Sequence, residues 1–587
     1  MNELTLKGFL SDEQIKSVLH EGNAVVMACP GSGKTRTLSY KIAYELSKSK
    51  VNRFIIALTY TNSAADEIKK RIMELGVSID NLWIGTLHSF CLKWIIKPYS
   101  ALCDETRYGF KIIDPHDSED LKLQLCSKYS RDYFKTDFGW CEYGLREKDK
   151  HGKEVVEKYY ECLRDSGFVD FEQIVYLSYK VVSNNHFVAK NLSNIFEVVM
   201  VDEYQDTQVL QYELLFSLLK VKRNSCRLFF VGDPNQAIFN SMGGVALDFD
   251  LFSSRTGVKF DLLQLKDNYR SSQQIVDYFT NFRTVAGEAF EACGEFRNYK
   301  SSITFDNSCL MEDLDSNISK FIAGAIAEGI SVNEICVIAP WWYHLSEITR
   351  RLMAIMPDVA FNGPGITPIS HNRESLWYKF AKIALISPSP YNYRHRISTA
   401  GEIFEQLIDA GFFIDLKSCS PKLFLKHCNA VKVNEIGGVE YLSAFFEKAC
   451  LYFDFDVLSS NEFTDSYDAF FSSAEKRKEK LISLNLAVLT SVEHYKRMFE
   501  REKGVTVTTI HSAKGLEFDC VIAFGLLDGV MNKFGEENDH SKRLLYVLSS
   551  RARKKLHLIS EGDRRYSRGF YSVNKALGSV NYDYTAS

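Results

Sequence analysis

Ala24-Val25-Val26-Met27-Ala28-Cys29-Pro30-Gly31-Ser32-Gly33-Lys34-Thr35 decides the reading of this chain. An apolar strand runs into a loop with two glycines, and a helix-favouring stretch follows. That order turns a row of backbone N–H groups toward an anion. In the loop Pro30, Gly31, Ser32 and Gly33 the glycines let the backbone amides curl around phosphates, Lys34 reaches the β and γ oxygens, and the Thr35 hydroxyl can ligate Mg²⁺. A nucleoside triphosphate with Mg²⁺ is the expected ligand.

A second strand, Glu197 to Val201, ends in Asp202-Glu203-Tyr204-Gln205-Asp206. Phosphoryl transfer needs a carboxylate to hold the metal and another to position the attacking water. Adjacent acids at a strand end supply both, so Asp202 is expected at the metal with Thr35, and Glu203 at the water. Taken alone, two acids at a strand end are more often a solvated turn; the phosphate loop upstream reverses that judgement.

Working outward, short apolar runs ending in polar or glycine-rich turns recur at Phe54 to Leu58 and Arg227 to Val231, then at Glu334 to Ala339, Val505 to Ile510, Cys520 to Phe524 and Leu556 to Ser560. Such runs read as parallel strands buried on both faces. The expected fold is α/β, with two phosphate-loop cores built on parallel sheets, each core carrying a mostly helical insertion. The first core is expected over 1–90, which holds the nucleotide site, and 185–267, around an insertion at 91–184; the second over 268–385 and 498–587, around an insertion at 386–497. The insertions are marked by few strand signals and by helix-favouring stretches such as Glu475 to Leu484.

Composition excludes several classes. The 587 residues are 45% hydrophobic and 25% charged, and no apolar segment reaches membrane-spanning length, so no membrane association is expected. The 14 cysteines include no Cys-x-x-Cys pair, which removes zinc ribbons and iron–sulfur clusters. With no export signal in Met1-Asn2-Glu3-Leu4-Thr5, a cytoplasmic location with reduced thiols is expected. The net charge of −4 neither requires nor forbids nucleic acid, because binding follows local charge.

Asp202-Glu203-Tyr204-Gln205-Asp206 resembles the second motif of superfamily 1 helicases of the UvrD, Rep and PcrA type, and further segments match in that family's order. They are Leu10 to Gln14, Leu58 to Ala65, Gly85 to Phe90, Val231 to Gln236, Asn268 to Ser272, Thr509 to Phe518 and Arg543 to Ala552. The resemblance implies ATP as the nucleotide, read by Gln14 at the adenine, with Arg36 and Tyr269 sandwiching the base and Glu517 at the ribose. It also implies Gln236 as a γ-phosphate sensor and Arg270 and Arg551 as arginines that complete the site, and movement 3′ to 5′ on single-stranded DNA, entered from a duplex with a 3′ tail. Tyr60, Thr61, Asn62, Thr86, His88, Phe239 and His511 are the implied DNA contacts.

Stepping along any sequence requires phosphate contacts and aromatic faces for bases. One departure bears on this. Relatives follow the aromatic of the third motif with Gly-Trp-Arg-Gly, whereas Phe239 is followed by Asn240-Ser241-Met242-Gly243-Gly244, so Ser241 and Met242 replace a stacking Trp and its Arg. Trp341 and Trp342, after a strand of the second core, are expected to pack rather than to stack on bases. Compact UvrD-like proteins paired with OLD-family nucleases in Gabija-type antiphage systems look like this chain, so the rival to a stand-alone motor is a DNA-sensing ATPase that regulates a nuclease partner.

Overall fold

The computed structural model describes residues 6–48, 53–221, 226–239, 243–364, 369, 375–390, 392–415, 417–483, 487–497, 504–532, 538–567 and 569–586. The chain forms two compact units, Met1–Lys300 with Glu537–Ser550, and Ser301–Glu536 with Arg551–Ser587. Among the described residues no helix is long and apolar enough to cross a membrane.

The first unit is built on strands β1 (Ala24–Ala28), β2 (Phe54–Thr59), β3 (Leu82–Thr86), β4 (Phe196–Asp202), β5 (Arg227–Gly232) and β6 (Asp261–Leu265). All pair in parallel, in the spatial order β6-β1-β5-β4-β2-β3. Successive side chains in a strand point to opposite faces. Val25, Ile56, Val199 and Leu228 therefore enter one apolar core, and Val26, Ile55, Met200 and Phe229 enter the other. Helices cover both faces, which is why these strands read as continuous apolar runs.

The second unit repeats the plan with β7 (Ser302–Asp306), β8 (Ile335–Ala339), β9 (Phe361–Asn362), β10 (Val505–Thr509), β11 (Phe518–Ala523) and β12 (Ala552–Ile559). Their order is β7-β12-β11-β8-β10-β9, again all parallel.

Each unit also carries helical material with its own core. Within the first, helices Pro115–Lys128 and Lys150–Asp165 close around Val155, Tyr159 and Leu163. The helix Phe171–Asn184 instead packs Ile174, Leu177 and Val181 into the core of the main sheet. Within the second, helices from Leu376–Leu385 to Asn461–Ser483 surround the buried Trp377, whose indole N–H donates to Phe463 O at 2.9 Å.

Two segments expected in the second core lie in the first unit: 268–300 and the helix Asn538–Ser549. Hydrogen bonding explains both. The phosphate loop leaves backbone carbonyls that need donors, and the Asn268 amide donates to Pro30 O at 2.6 Å while Tyr269 N donates to Gly31 O at 2.9 Å. The helix is held by its buried Tyr546, whose hydroxyl donates to Asp233 at 3.1 Å and whose ring meets Phe279 edge-on.

Candidate nucleotide site and nucleic-acid track

β1 ends at Ala28 and the helix Lys34–Lys48 starts just beyond, so the loop between them must turn tightly. Gly31 and Gly33 have φ of 71° and 76°. A Cβ on Gly31 would lie 2.6 Å from that of Arg270, and one on Gly33 would lie 2.8 Å from Gln14 Nε2. Glycine is thus needed for the backbone and for the close approach. Gln14 belongs to a capping box with Ser11, accepting from Ser11 N at 3.1 Å, and its Nε2 donates to Ser32 O at 2.9 Å. Its amide therefore braces the loop.

At the end of β4, Asp202 is buried and Glu203 adopts the left-handed conformation, with φ 51° and ψ 48°. A non-glycine residue held there stores strain, as functional loops often do. Lys34 Nζ donates to Glu203 Oε2 at 3.0 Å, and Gln205 Nε2 donates to the same oxygen at 2.5 Å. Gln205 then accepts from Asp233 N at 3.0 Å, and Asp233 accepts from Gln236 Nε2 at 2.8 Å. One chain of hydrogen bonds thus links the phosphate-loop lysine to the end of β5. Gln205, Asp233 and Tyr546 carry this network, and Asn268 braces the phosphate loop beside it, although sequence reasoning gave them no role; their signal was only that each sits inside a quoted motif.

Electrostatics mark the site as short of positive charge. Burial and the neighbouring Glu203 push the Asp202 carboxyl up to about 7, against the pull of Lys34. Burial also raises Asp233. Burial works against the charge of Lys34, but Glu203, Asp233 and Asp202 overcome it and raise its pKa. Three carboxylates thus face one ammonium. The Asp202 carboxylate and the Thr35 hydroxyl are hard oxygen donors, which suits Mg²⁺, an ion that keeps waters and phosphate oxygens as its other ligands. Among the described residues there is no cluster of three or more His, Cys, Asp or Glu that forms a cage for a metal. Bound there, Mg²⁺ would neutralise phosphate charge.

Two family models match the chain: the UvrD/REP helicase N-terminal domain over residues 10–255, and the UvrD-like helicase C-terminal domain over residues 461–562. The chain belongs to the UvrD/REP helicase family. A probable DNA helicase II homolog of Mycoplasma capricolum is 24% identical, over 97% of this chain and 85% of that protein. The ATP-dependent DNA helicase PcrA of Bacillus subtilis is 22% identical, over 94% and 82%.

The remaining residues implied by the helicase family divide between the units. In the first, Arg36 is exposed, and Tyr269 is exposed with its hydroxyl donating to Asp267 at 3.1 Å. Arg270 Nη1 donates to Ser550 O at 3.0 Å. In the second, Glu517 accepts from Arg553 at 3.0 Å, and the buried Arg551 donates to Leu516 O at 3.2 Å. His511 is half-buried in the turn after β10.

Tyr60 and Phe239 stack on each other, with ring centroids 5.5 Å apart and planes 20° apart. They line a cleft of about 820 Å³ with Thr86 and His88, and Asp202 and Glu203 reach its floor. Burial lowers the pKa of His88, so the ring meets a ligand as a neutral donor or acceptor. Thr61 and Thr86 are helix N-caps, accepting from Ala64 N at 3.2 Å and Ser89 N at 3.4 Å. The side chain of Asn62, and Ser241 and Met242 entirely, lie outside the described residues.

Trp341 and Trp342 depart from expectation. They are 50% and 52% exposed, beside a still more open Tyr343. β8 ends at Ala339, so the chain leaves the sheet before it reaches these rings, and the core beneath is filled by Leu345 and Ile348 of the following helix. Trp341 is fixed by its indole N–H, which donates to Val530 O at 2.5 Å.

Proposed function

We propose that this chain hydrolyses ATP at the site formed by Lys34, Asp202 and Glu203 and uses the cycle to step 3′ to 5′ along single-stranded DNA. Its family makes it an ATP-dependent DNA helicase; the residue roles, the polarity and the partner are the added reading. The observation that carries it is the Lys34–Glu203 ion pair of 3.0 Å next to a buried carboxylate. Incoming phosphates compete for Lys34 and draw it from Glu203. The freed carboxylate, fixed by its strained backbone and by Gln205, then orients the attacking water. Gln236 senses the γ-phosphate, and Arg270 and Arg551 add charge as it develops. Gln14, which also braces the loop at Ser32, reads the adenine, and Arg36 and Tyr269 flank it.

Tyr60, Thr61, Asn62, Thr86, His88 and Phe239 of the first unit contact the DNA, as do His511 and the exposed Trp342 of the second. Separating the self-stacked Tyr60 and Phe239 would open room for a base, and their affinity for any base suits sequence-independent stepping. Hydrolysis should rise severalfold or more with single-stranded DNA, and a duplex with a 3′ tail should be unwound in preference to one with a 5′ tail. Hydrolysis indifferent to DNA would sink the motor, and a 5′-tail preference would sink the polarity.

Ser241 and Met242 favour a second reading, an ATPase that senses DNA and regulates a nuclease of the OLD type. It predicts strong DNA-stimulated hydrolysis with poor unwinding by the purified chain. Efficient unwinding without a partner would remove it.

A further inference from the structure

The cleft that holds Tyr60 and Phe239 is also lined by the helical material of the same unit, through Phe134, Lys135, Asp137, Arg146 and Glu172. Phe134 is 92% exposed there. Exposure alone means little, since single open rings are common, and Tyr108 and Tyr143 are just as open without lining the cleft. What sets Phe134 apart is how it is held. It sits in a single turn, Tyr133–Lys135, between the helices Pro115–Lys128 and Lys150–Asp165. The Asp132 carboxylate caps that turn, accepting from Phe134 N at 3.0 Å, and the Asp132 carbonyl accepts from Lys135 N at 3.1 Å and from the Thr136 hydroxyl at 2.9 Å. Tyr133 before it and Phe138 after it pack into the apolar core of the insertion. The Phe134 ring is thus presented on a braced turn, touched edge-on by Tyr133 at 5.3 Å. Tyr60 and Phe239 cover each other by stacking, so Phe134 is the most open aromatic face in the cleft.

The charge around that ring decides which part of a strand can enter. Asp202, Glu203 and Asp206 from the sheet and Asp137 and Glu172 from the insertion line the cleft, and Arg146 is already shared by Asp137 at 3.4 Å and Glu172 at 3.8 Å. A DNA phosphate, which brings no Mg²⁺ of its own, is repelled from such an interior, whereas an uncharged base is not. Lys135 is 81% exposed, and its 3.6 Å contact with Asp132 is an open surface pair of small worth, readily exchanged for a phosphate.

We propose that Phe134 is a base-stacking residue of the track: a base of single-stranded DNA lies against its ring, with the phosphate turned outward to Lys135. The inference rests on the reading of this cleft as the DNA track and deepens it, adding a residue of the helical insertion that no motif marks. A ring stacks on any base, so the contact suits stepping without sequence preference.

The test is fluorescence anisotropy of the full chain with a labelled oligothymidylate and with a strand of the same length made of abasic sugars, which keeps the phosphates and removes the bases. Phe134→Ala should weaken binding of oligothymidylate by about tenfold or more and leave the abasic strand unchanged. Phe134→Leu, which keeps apolar bulk without a π face, should weaken it likewise. Phe134→Trp should preserve it, and the emission of the added indole should be quenched on binding. Tyr108→Ala and Tyr143→Ala, equally exposed but off the cleft, should match the wild type. Because Phe134 stands in solvent, its variants should keep the wild-type thermal midpoint. Equal loss on both strands, or wild-type affinity in Phe134→Ala or Phe134→Leu, would overturn the proposal and leave the track intact; a wild-type chain that binds no oligothymidylate would overturn both.

Discussion

The two ends of the sheet in the first unit both bury charge, and only one of them is unfinished. At the amino ends of β2, β4 and β5, Glu45 accepts from Lys41 at 2.7 Å and from both terminal nitrogens of Arg227 at 2.9 Å. Arg227 also meets Glu197 at 3.1 Å, and Glu197 meets Arg53 at 2.7 Å. Three cations face two carboxylates, and the spare donors of Lys41 and Arg53 go to backbone carbonyls. At the carboxyl ends, Asp202, Glu203 and Asp233 share the single ammonium of Lys34. Burial of charge is therefore no mark of function by itself. A deficit of countercharge is, because it leaves room for an ion that the chain does not supply.

The contrast is broken most sharply by exchanging which property each end loses. Lys34→Ala and Glu203→Gln should lower maximal ATP hydrolysis by about 10²-fold or more, with little loss of stability, since each removes a group that acts on developing charge. Glu203→Gln should still bind ATP. Steady-state hydrolysis with saturating single-stranded DNA measures the first, and binding of a fluorescent ATP analogue the second; hydrolysis near the wild-type rate in either variant would reassign the site.

Glu45→Gln should do the reverse. It strands Lys41 and Arg227 without their shared carboxylate, and breaking a buried pair on one side costs about 3–5 kcal/mol. Denaturant unfolding should show that loss, while hydrolysis per folded molecule stays at the wild-type rate. A stable variant would mean that water, rather than Glu45, can satisfy those cations.

Much of this was legible beforehand. β2 and β4 announced themselves because both faces are buried, so apolar residues run without interruption, whereas β3, only partly buried at the sheet edge, escaped that reading. β6, Asp-Leu-Leu-Gln-Leu, escaped it too: it lies at the sheet edge, half its residues are open, and its pattern alternates weakly. β9, only Phe361–Asn362, is too short to leave any pattern. Lys34, Asp202 and Glu203 could be picked out because their chemistry demands those residue types at strand ends. Gln205, Asn268 and Tyr546 could not, because an amide or phenol that bridges two loops is defined by what folds against it. The same limit misplaced Trp341 and Trp342: two consecutive tryptophans after a strand read as core until Leu345 and Ile348 are seen to fill it.

Those rings extend the comparison to the second unit, where β8 is followed by two half-exposed tryptophans and the buried carboxylate beyond β12, Glu561, is already paired with Arg564 at 3.0 Å. Trp342→Ala should weaken binding of single-stranded DNA by about 1–3 kcal/mol, the worth of one stacked base, and should leave hydrolysis at saturating DNA little changed. Fluorescence anisotropy over a salt series checks this; because phosphates set the salt slope, the variant should shift the line without changing its gradient. An unaltered affinity would return Trp342 to an ordinary exposed ring.

The smallest effect tests the charge deficit itself. Asp202 has a folded pKa raised to about 7, chiefly by burial and then by Glu203. A raised pKa favours the protonated form in the folded chain, so the stability linked to this group is fully present below the ordinary carboxyl range, near 4, and is lost as pH rises through about 7. Asn at this position is neutral throughout and keeps an oxygen to accept from Glu203 N, which now donates to Asp202 at 3.0 Å. Without nucleotide or Mg²⁺, Asp202→Asn should therefore be more stable than the wild type at pH 8, by about 0.5–2 kcal/mol, and the gap should close toward pH 4. Adding Mg²⁺ and a non-hydrolysable ATP analogue should reverse the order, because ligand bound only by the folded wild type stabilises it by mass action. A variant no more stable than the wild type at pH 8 would show that the buried carboxylate already has its countercharge, and the two ends of the sheet would then differ in geometry rather than in electrostatic completeness.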